Sequence, residues 1–135
     1  MTQQNLERIF YLKKELGKWQ RRLADLQADI ALGNKQLDGM PRTGTNAVSK
    51  PVEDKAIKLM EVSRIIEGKI SEIQYAISEI DEYILSIEDP LIRLLLRCRC
   101  CELMSWDAVA IELGGNHTAE SVRQMYHRFV KSLPE

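Results

Sequence analysis

Between Thr118 and Lys131 the chain sets Glu120, Arg123, Gln124, His127, Arg128 and Lys131 at steps of three and four, on one side of a helix. Arg pairs bidentately with guanine and Gln with adenine, so such a row suits a helix laid in the major groove of double-stranded DNA. Thr118, Ser121 and the helix start would hold phosphate there, because the first backbone N–H groups of a helix have no intrahelical partner. The same residues also describe a three-helix bundle with an ordinary solvated face, and spacing alone leaves both readings open.

Other chemistry finds less material. Cys98, Cys100 and Cys101 crowd four positions of one helix, too close and odd in number for a disulfide framework. His117 and His127 supply no Cys/His spacing of a zinc site, so no metal and no cofactor are expected. No nucleophile stands with a base, and Glu61, Glu67, Glu72, Glu79, Asp81 and Glu82 fit a solvated helical face. The sequence therefore predicts neither an enzyme nor a small-molecule substrate.

Three short elements must position the polar row. Asp89 and Pro90 form a helix start, an N-cap followed by a residue whose missing N–H costs nothing in the first turn. The helix they open, LIRLLLRCRCCEL, is apolar on nearly every side and must be covered on several faces. Ser105 then caps a short helix with Trp106, Val109, Ala110 and Leu113 on its apolar face, stopped by Gly114 and Gly115. Thr118 caps the last helix, whose apolar face is read as Val122, Met125 or Tyr126, Phe129 and Leu133. A short helix, a glycine turn and a longer helix bearing Arg on its outer face describe a helix-turn-helix.

Upstream lie two long helices. Ile9, Leu12, Leu16, Trp19, Leu23, Leu26 and Ile30 repeat at heptad spacing, which leaves one narrow stripe seeking a partner. A second seam runs Ala56, Leu59, Ser63, Ile66, Ile70, Ile73, Ile77, Ile80, Ile84 and Ile87, over roughly 50 Å at about 1.5 Å per residue. Val62, Ala76 and Tyr83 add a spare apolar column beside it. The expected architecture is all-α: a long antiparallel coiled-coil hairpin over 1–88, then a three-helix helix-turn-helix domain over 89–135. The hairpin helices are expected at about 4–32 and 52–88, with Ser49 a cap for the second. The spare column would join copies of the chain, a dimer being favoured. The connection 33–51 exceeds ordinary helix links and is either mobile or functional.

The whole chain, 135 residues with 19 basic and 20 acidic side chains, has a net charge of −1, which at first argues against nucleic acid. The average conceals a pattern: residues 1–50 sum to +4, 51–88 to −5 and 89–135 to zero. There is no run of 18 apolar residues, and MTQQNLERIF lacks the features of a signal peptide, so a cytoplasmic protein without a membrane partner is expected.

With Trp106, Val109, Ala110, Leu113 and Gly114, then Thr118, Glu120, Val122, Arg123, Gln124, Arg128 and Leu133, residues 89–133 resemble the promoter-reading C-terminal domain of bacterial sigma factors. That resemblance implies base contacts from Glu120, Arg123 and Gln124. The turn from Gly114 to Thr118 is two residues longer than in that family, and Ala119 and Ser121 stand where its members commonly carry Arg, which implies fewer phosphate contacts. Through DGMPRTG, IEDPLIRLLLR and SWDAVAIELGGNHTAESVR the chain is similar to small phage-encoded transcription regulators of the ArpU and RinA kind. The resemblance implies a sequence-specific DNA-binding regulator. Two other readings are a coiled-coil protein docking on RNA polymerase or a phage protein without reading DNA, and a small terminase subunit.

Overall fold

A computed structural model describes residues 1–38 and 49–134, with side chains described over 1–32 and 53–134. Every regular element among them is helical: α1 (Gln3–Asp38), α2 (Ser49–Leu85), α3 (Pro90–Leu96), a π-helical turn (Arg97–Cys101), α4 (Trp106–Leu113) and α5 (Ala119–Lys131). The all-α class follows from the sequence. The extents of the long helices do not.

Helix α1 runs six residues past the expected end at 32, because an isolated Gly33 costs only about 1 kcal/mol against Ala and helix-forming residues follow it. Helix α2 starts at Ser49, which is its first helical residue rather than a cap. Pro51 therefore falls in the first turn, where the absent N–H has no intrahelical acceptor to lose. The expected 33–51 connection is thus shortened at both ends, and its central part, 39–48, lies outside the described residues. Helix α2 also stops short of 88. Ser86 N donates to Tyr83 O and Ile87 N to Ile84 O, both at 3.0 Å, tightening the last turn. Asp89, which precedes Pro90, is extended at φ −76° and ψ 114°.

The seam of α2 is shifted from the expected one. Val62, Ile66, Ile73, Ala76, Ile80 and Ile84 are buried, whereas Ala56 and Ile70 are exposed. The column read as spare, through Val62 and Ala76, is the one that leaves water. Lys69 occupies that same column. Ser63, the polar exception of the expected seam, donates its hydroxyl to Leu59 O at 2.8 Å within its own helix.

The chain divides into two compact units, one of Met1–Lys13 with Glu72–Glu135 and one of Lys14–Ser71. This grouping cuts across a division at residue 88. In the 14–71 unit Leu16, Trp19, Leu23, Leu26 and Ile30 are half-buried, and Lys69 Nζ meets Glu15 Oε1 at 2.6 Å.

The other unit holds the tightest core. Leu6, Ile9, Ile80, Ile84, Leu95, Leu96, Val109 and Val122 are all almost completely enclosed. Fully burying such side chains is worth about 1.5–3 kcal/mol each, which makes this unit the main source of stability. Arg93 Nη1 donates to Ile87 O at 2.9 Å and fastens the segment that leads into α3. Arg97 Nη1 lies 3.1 Å from the buried Asp81 Oδ1, close enough to pair charges but without hydrogen-bond alignment. Among the described residues no helix is long and apolar enough to cross a membrane.

Candidate nucleic-acid interface

The two short helices that frame the polar row are fixed by their caps. Asp89 Oδ1 accepts from Leu91 N at 2.9 Å, and Ser105 Oγ accepts from Ala108 N at 3.3 Å. Helix α4 ends at Gly114 (φ 71°), and Gly115 follows at φ 65°. Two consecutive left-handed positions turn the chain sharply, and a side chain at either would strain the backbone.

Thr118 caps α5 reciprocally with Ser121. Thr118 Oγ1 accepts from Ser121 N at 3.1 Å, Ser121 Oγ accepts from Thr118 N at 2.8 Å, and the Ser121 hydroxyl donates to Thr118 O at 2.9 Å. This is a capping box with Ser in place of the usual Glu. Both hydroxyls expected at phosphate are therefore engaged in starting the helix. Only the Thr118 hydroxyl proton has no partner among these bonds.

The apolar face of α5 is Val122, Tyr126 and Val130, buried, flanked by half-buried Met125, Phe129 and Leu133. Val130 is absent from the sequence reading, which took its neighbour Phe129 for the same turn. On the opposite side Glu120, Arg123, Gln124, His127, Arg128 and Lys131 are all exposed. Three of them form one cluster. Arg123 Nε and Nη2 donate to the two Glu120 oxygens at 3.1 and 2.5 Å, and Gln124 Nε2 donates to Glu120 Oε1 at 3.2 Å. The Arg123 hydrogen bond holds the Glu120 carboxyl below the usual carboxylate range, and Glu120 in turn raises Arg123. The cluster presents one carboxylate, one guanidinium and one amide in a fixed mutual geometry. His127, Arg128 and Lys131 extend the basic character toward the end of the helix.

Tyr126, midway along α5, meets Cys100 of the π-helical turn, where the widened helix buries Cys98, Cys100 and Cys101 together as free thiols. Burial pushes Cys100 up to about 12 and Cys101 to about 11. Neutral thiols of this kind are poor nucleophiles, since the thiolate is the reacting form. Among the described residues no group of three or more His, Cys, Asp or Glu is placed to hold a metal ion.

Sequence reasoning missed a concave feature in this unit. A cleft of about 430 Å³ opens among Leu6, Phe10 and Tyr11 of α1, Arg99 of the π turn, Trp106 of α4 and Tyr126 of α5, with Glu7, Cys100, Leu103, Arg123 and His127 completing its wall. The Trp106 and Tyr126 rings lie 5.4 Å apart. Arg99 stacks 3.9 Å from the centre of the Trp106 ring and donates Nη1 to Met104 O at 2.8 Å. One signal was available in the sequence: Arg99 is a cation inside the cysteine run CRCC, and such a residue needs a specific environment. The contribution of α1 had no local signal. Compared with known proteins, the chain matches no family model, no curated protein and no solved structure.

Proposed function

We propose that the chain is a sequence-specific DNA-binding transcription regulator of phage or prophage type, in which α5 enters the major groove and the long helices join copies of the chain into a dimer. The observation that carries this reading is the exposed Glu120, Arg123 and Gln124 cluster on a capped helix whose other face is locked into a core. A carboxylate held by a guanidinium is pre-organised to accept from cytosine while the guanidinium addresses guanine, at little cost in side-chain ordering. His127, Arg128 and Lys131 then face the backbone, whose phosphates supply salt-dependent affinity. In the 14–71 unit, half-buried Leu23, Leu26 and Ile30 and exposed Ile57, Met60 and Ile65 supply the apolar area that a second copy would cover.

Selection of random duplexes by the purified full-length chain tests the proposal. The expected result is an enriched motif with two related halves, because two-fold protein symmetry is mirrored in the site. Arg123→Ala erases the preference at one position of each half, whereas Lys131→Ala weakens binding evenly across sequences. An absence of any enriched motif overturns specific recognition.

A second reading has its own observation. The Arg123 charge is already neutralised by Glu120, and on α4 Ile111 is 80% exposed. That combination suits a surface that docks on RNA polymerase or a phage protein without reading bases. Capture of polymerase equally by the wild type and by an Arg123→Ala/Gln124→Ala variant, with no DNA bound by either, favours docking. Light scattering separates both from a small terminase subunit, which would give ring-sized particles rather than dimers.

A further inference from the structure

We propose that the cleft between α1 and the π turn is a binding site for a planar aromatic carboxylate. Arg99 carries the argument. The residue is half-buried, its guanidinium carbon lies 3.9 Å over the Trp106 ring, and one donor goes to Met104 O. Among the described residues no carboxylate lies within ion-pairing distance of it, so a cation is held in an aromatic wall with most of its five donors turned to no protein group. A guanidinium stacked on its face leaves its edge free, and the edge is what a carboxylate meets bidentately.

The surroundings define the rest of the ligand. Phe10 and Tyr11 stand edge to face at 5.3 Å on one side, and the tilted Trp106 and Tyr126 pair stands on another, so the space between suits a flat ring. A volume of about 430 Å³ lies within the range of ordinary small-molecule sites, roughly 300–1,000 Å³. Charge selects a monoanion. Arg123 is already paired with Glu120, and Glu7 offsets Arg99 in the sum over the wall, so the attraction for an anion is local to the Arg99 edge, which matches one negative charge and leaves a second to face Glu7. Because Arg123 and His127 belong both to this wall and to the outer face of α5, occupancy alters what α5 can grip. That last step rests on the DNA-reading proposal; the site itself does not.

Calorimetry on the full chain with 2-naphthoate and its neutral counterpart 2-naphthamide tests the site. Naphthoate is expected to bind about tenfold tighter than naphthamide, the effect of one charge-assisted pair. Arg99→Lys, which keeps the charge but loses the fork, narrows the preference without removing it, and Tyr11→Ala, at a residue 62% exposed, weakens both. Equal affinities of the two probes in the wild type, or no binding of naphthoate at millimolar concentration, overturn the proposal. Should Arg99→Lys fail to fold, Glu7→Gln decides: tighter naphthoate with unchanged naphthamide supports the site, and unchanged naphthoate overturns it. Naphthoate binding without an effect on the selected duplex removes the coupling and leaves the site standing. Naphthoate binding by a chain that enriches no duplex separates failure of the DNA reading from failure of the site.

Discussion

The unit of 1–13 with 72–135 and the unit of 14–71 differ in how they dispose of apolar side chains. The first encloses Leu6, Ile9, Ile80, Leu95, Val109 and Val122 almost completely. In the second, Val62 and Ile66 are the buried apolar residues among those described, while Leu16, Trp19, Leu23, Leu26 and Ile30 are half-covered. Two helices cannot enclose a seam on all sides, whereas short helices meeting at several angles can. The difference teaches where a core can close within the chain and where, under the proposed dimer, a second copy would be needed to cover the seam. Both units leave apolar side chains in water, Tyr11, Leu85 and Ile111 in the first and Ile57 and Met60 in the second, but the first also holds an enclosed core and the second holds a half-covered seam.

The largest test of that contrast is a pair of truncations. Leu95→Ala removes a fully enclosed side chain and is expected to cost about 2–5 kcal/mol in urea unfolding. Leu23→Ala, half-covered, is expected to cost less than about 1.5 kcal/mol when diluted but to lower the association constant measured by sedimentation. Equal costs, or no change in association, would break the contrast.

A second test uses the buried thiols, which belong to the enclosed unit only. Their folded pKa values lie above the ordinary thiol value of 9.0, about 12 for Cys100 and about 11 for Cys101. Below pH 9 both folded and unfolded chains keep the protons, and the thiols contribute no pH dependence. Between 9 and about 12 the unfolded chain loses them first, so stability falls as pH rises through that window. Cys100→Ala should flatten the alkaline limb of a melting-temperature profile, and an unchanged limb would show that the thiol is more open to water than its burial indicates.

The smallest effect is at the cap of α5. Thr118→Ala is expected to cost about 1 kcal/mol in thermal unfolding, with the other elements of that unit unaffected. Thr118→Asp should restore the loss, since its carboxylate accepts from the same N–H and favours the helix start.

What could be read from sequence was mostly local. The caps at Asp89, Ser105 and Thr118 and the stop at Gly114 depend on residues within a turn of one another, and their bonds form as those residues suggest. The polar row of α5 was legible for the same reason, although the mutual engagement of Glu120, Arg123 and Gln124 was not, because one spacing serves a solvated face and a bonded cluster alike. The α2 seam failed where periodicity is ambiguous. Ile70 and Ile77 stand one position after Lys69 and Ala76, and a reader of hydrophobicity selects the isoleucine column over one interrupted by lysine. Packing prefers the column with Val62 and Ala76, and Lys69 is accommodated by its long stem and by Glu15. Leu6 and the cleft needed contacts between residues about ninety positions apart, for which no local pattern exists.

Leu103 has a consequence for how the cleft would respond to change. It is the one non-glycine residue at positive φ among those described, at 56°, just past the π turn. Such a conformation costs a leucine about 1 kcal/mol that a glycine would not lose. Its side chain lines the cleft. Backbone ease and cleft shape therefore pull in opposite directions at this position: glycine would relax the backbone and open the wall, while the half-buried leucine keeps the wall and its apolar cover at the backbone's expense. A substitution that eases the backbone here would also reshape the cleft, so a variant at 103 should be judged by the proposed binding as well as by its melting point.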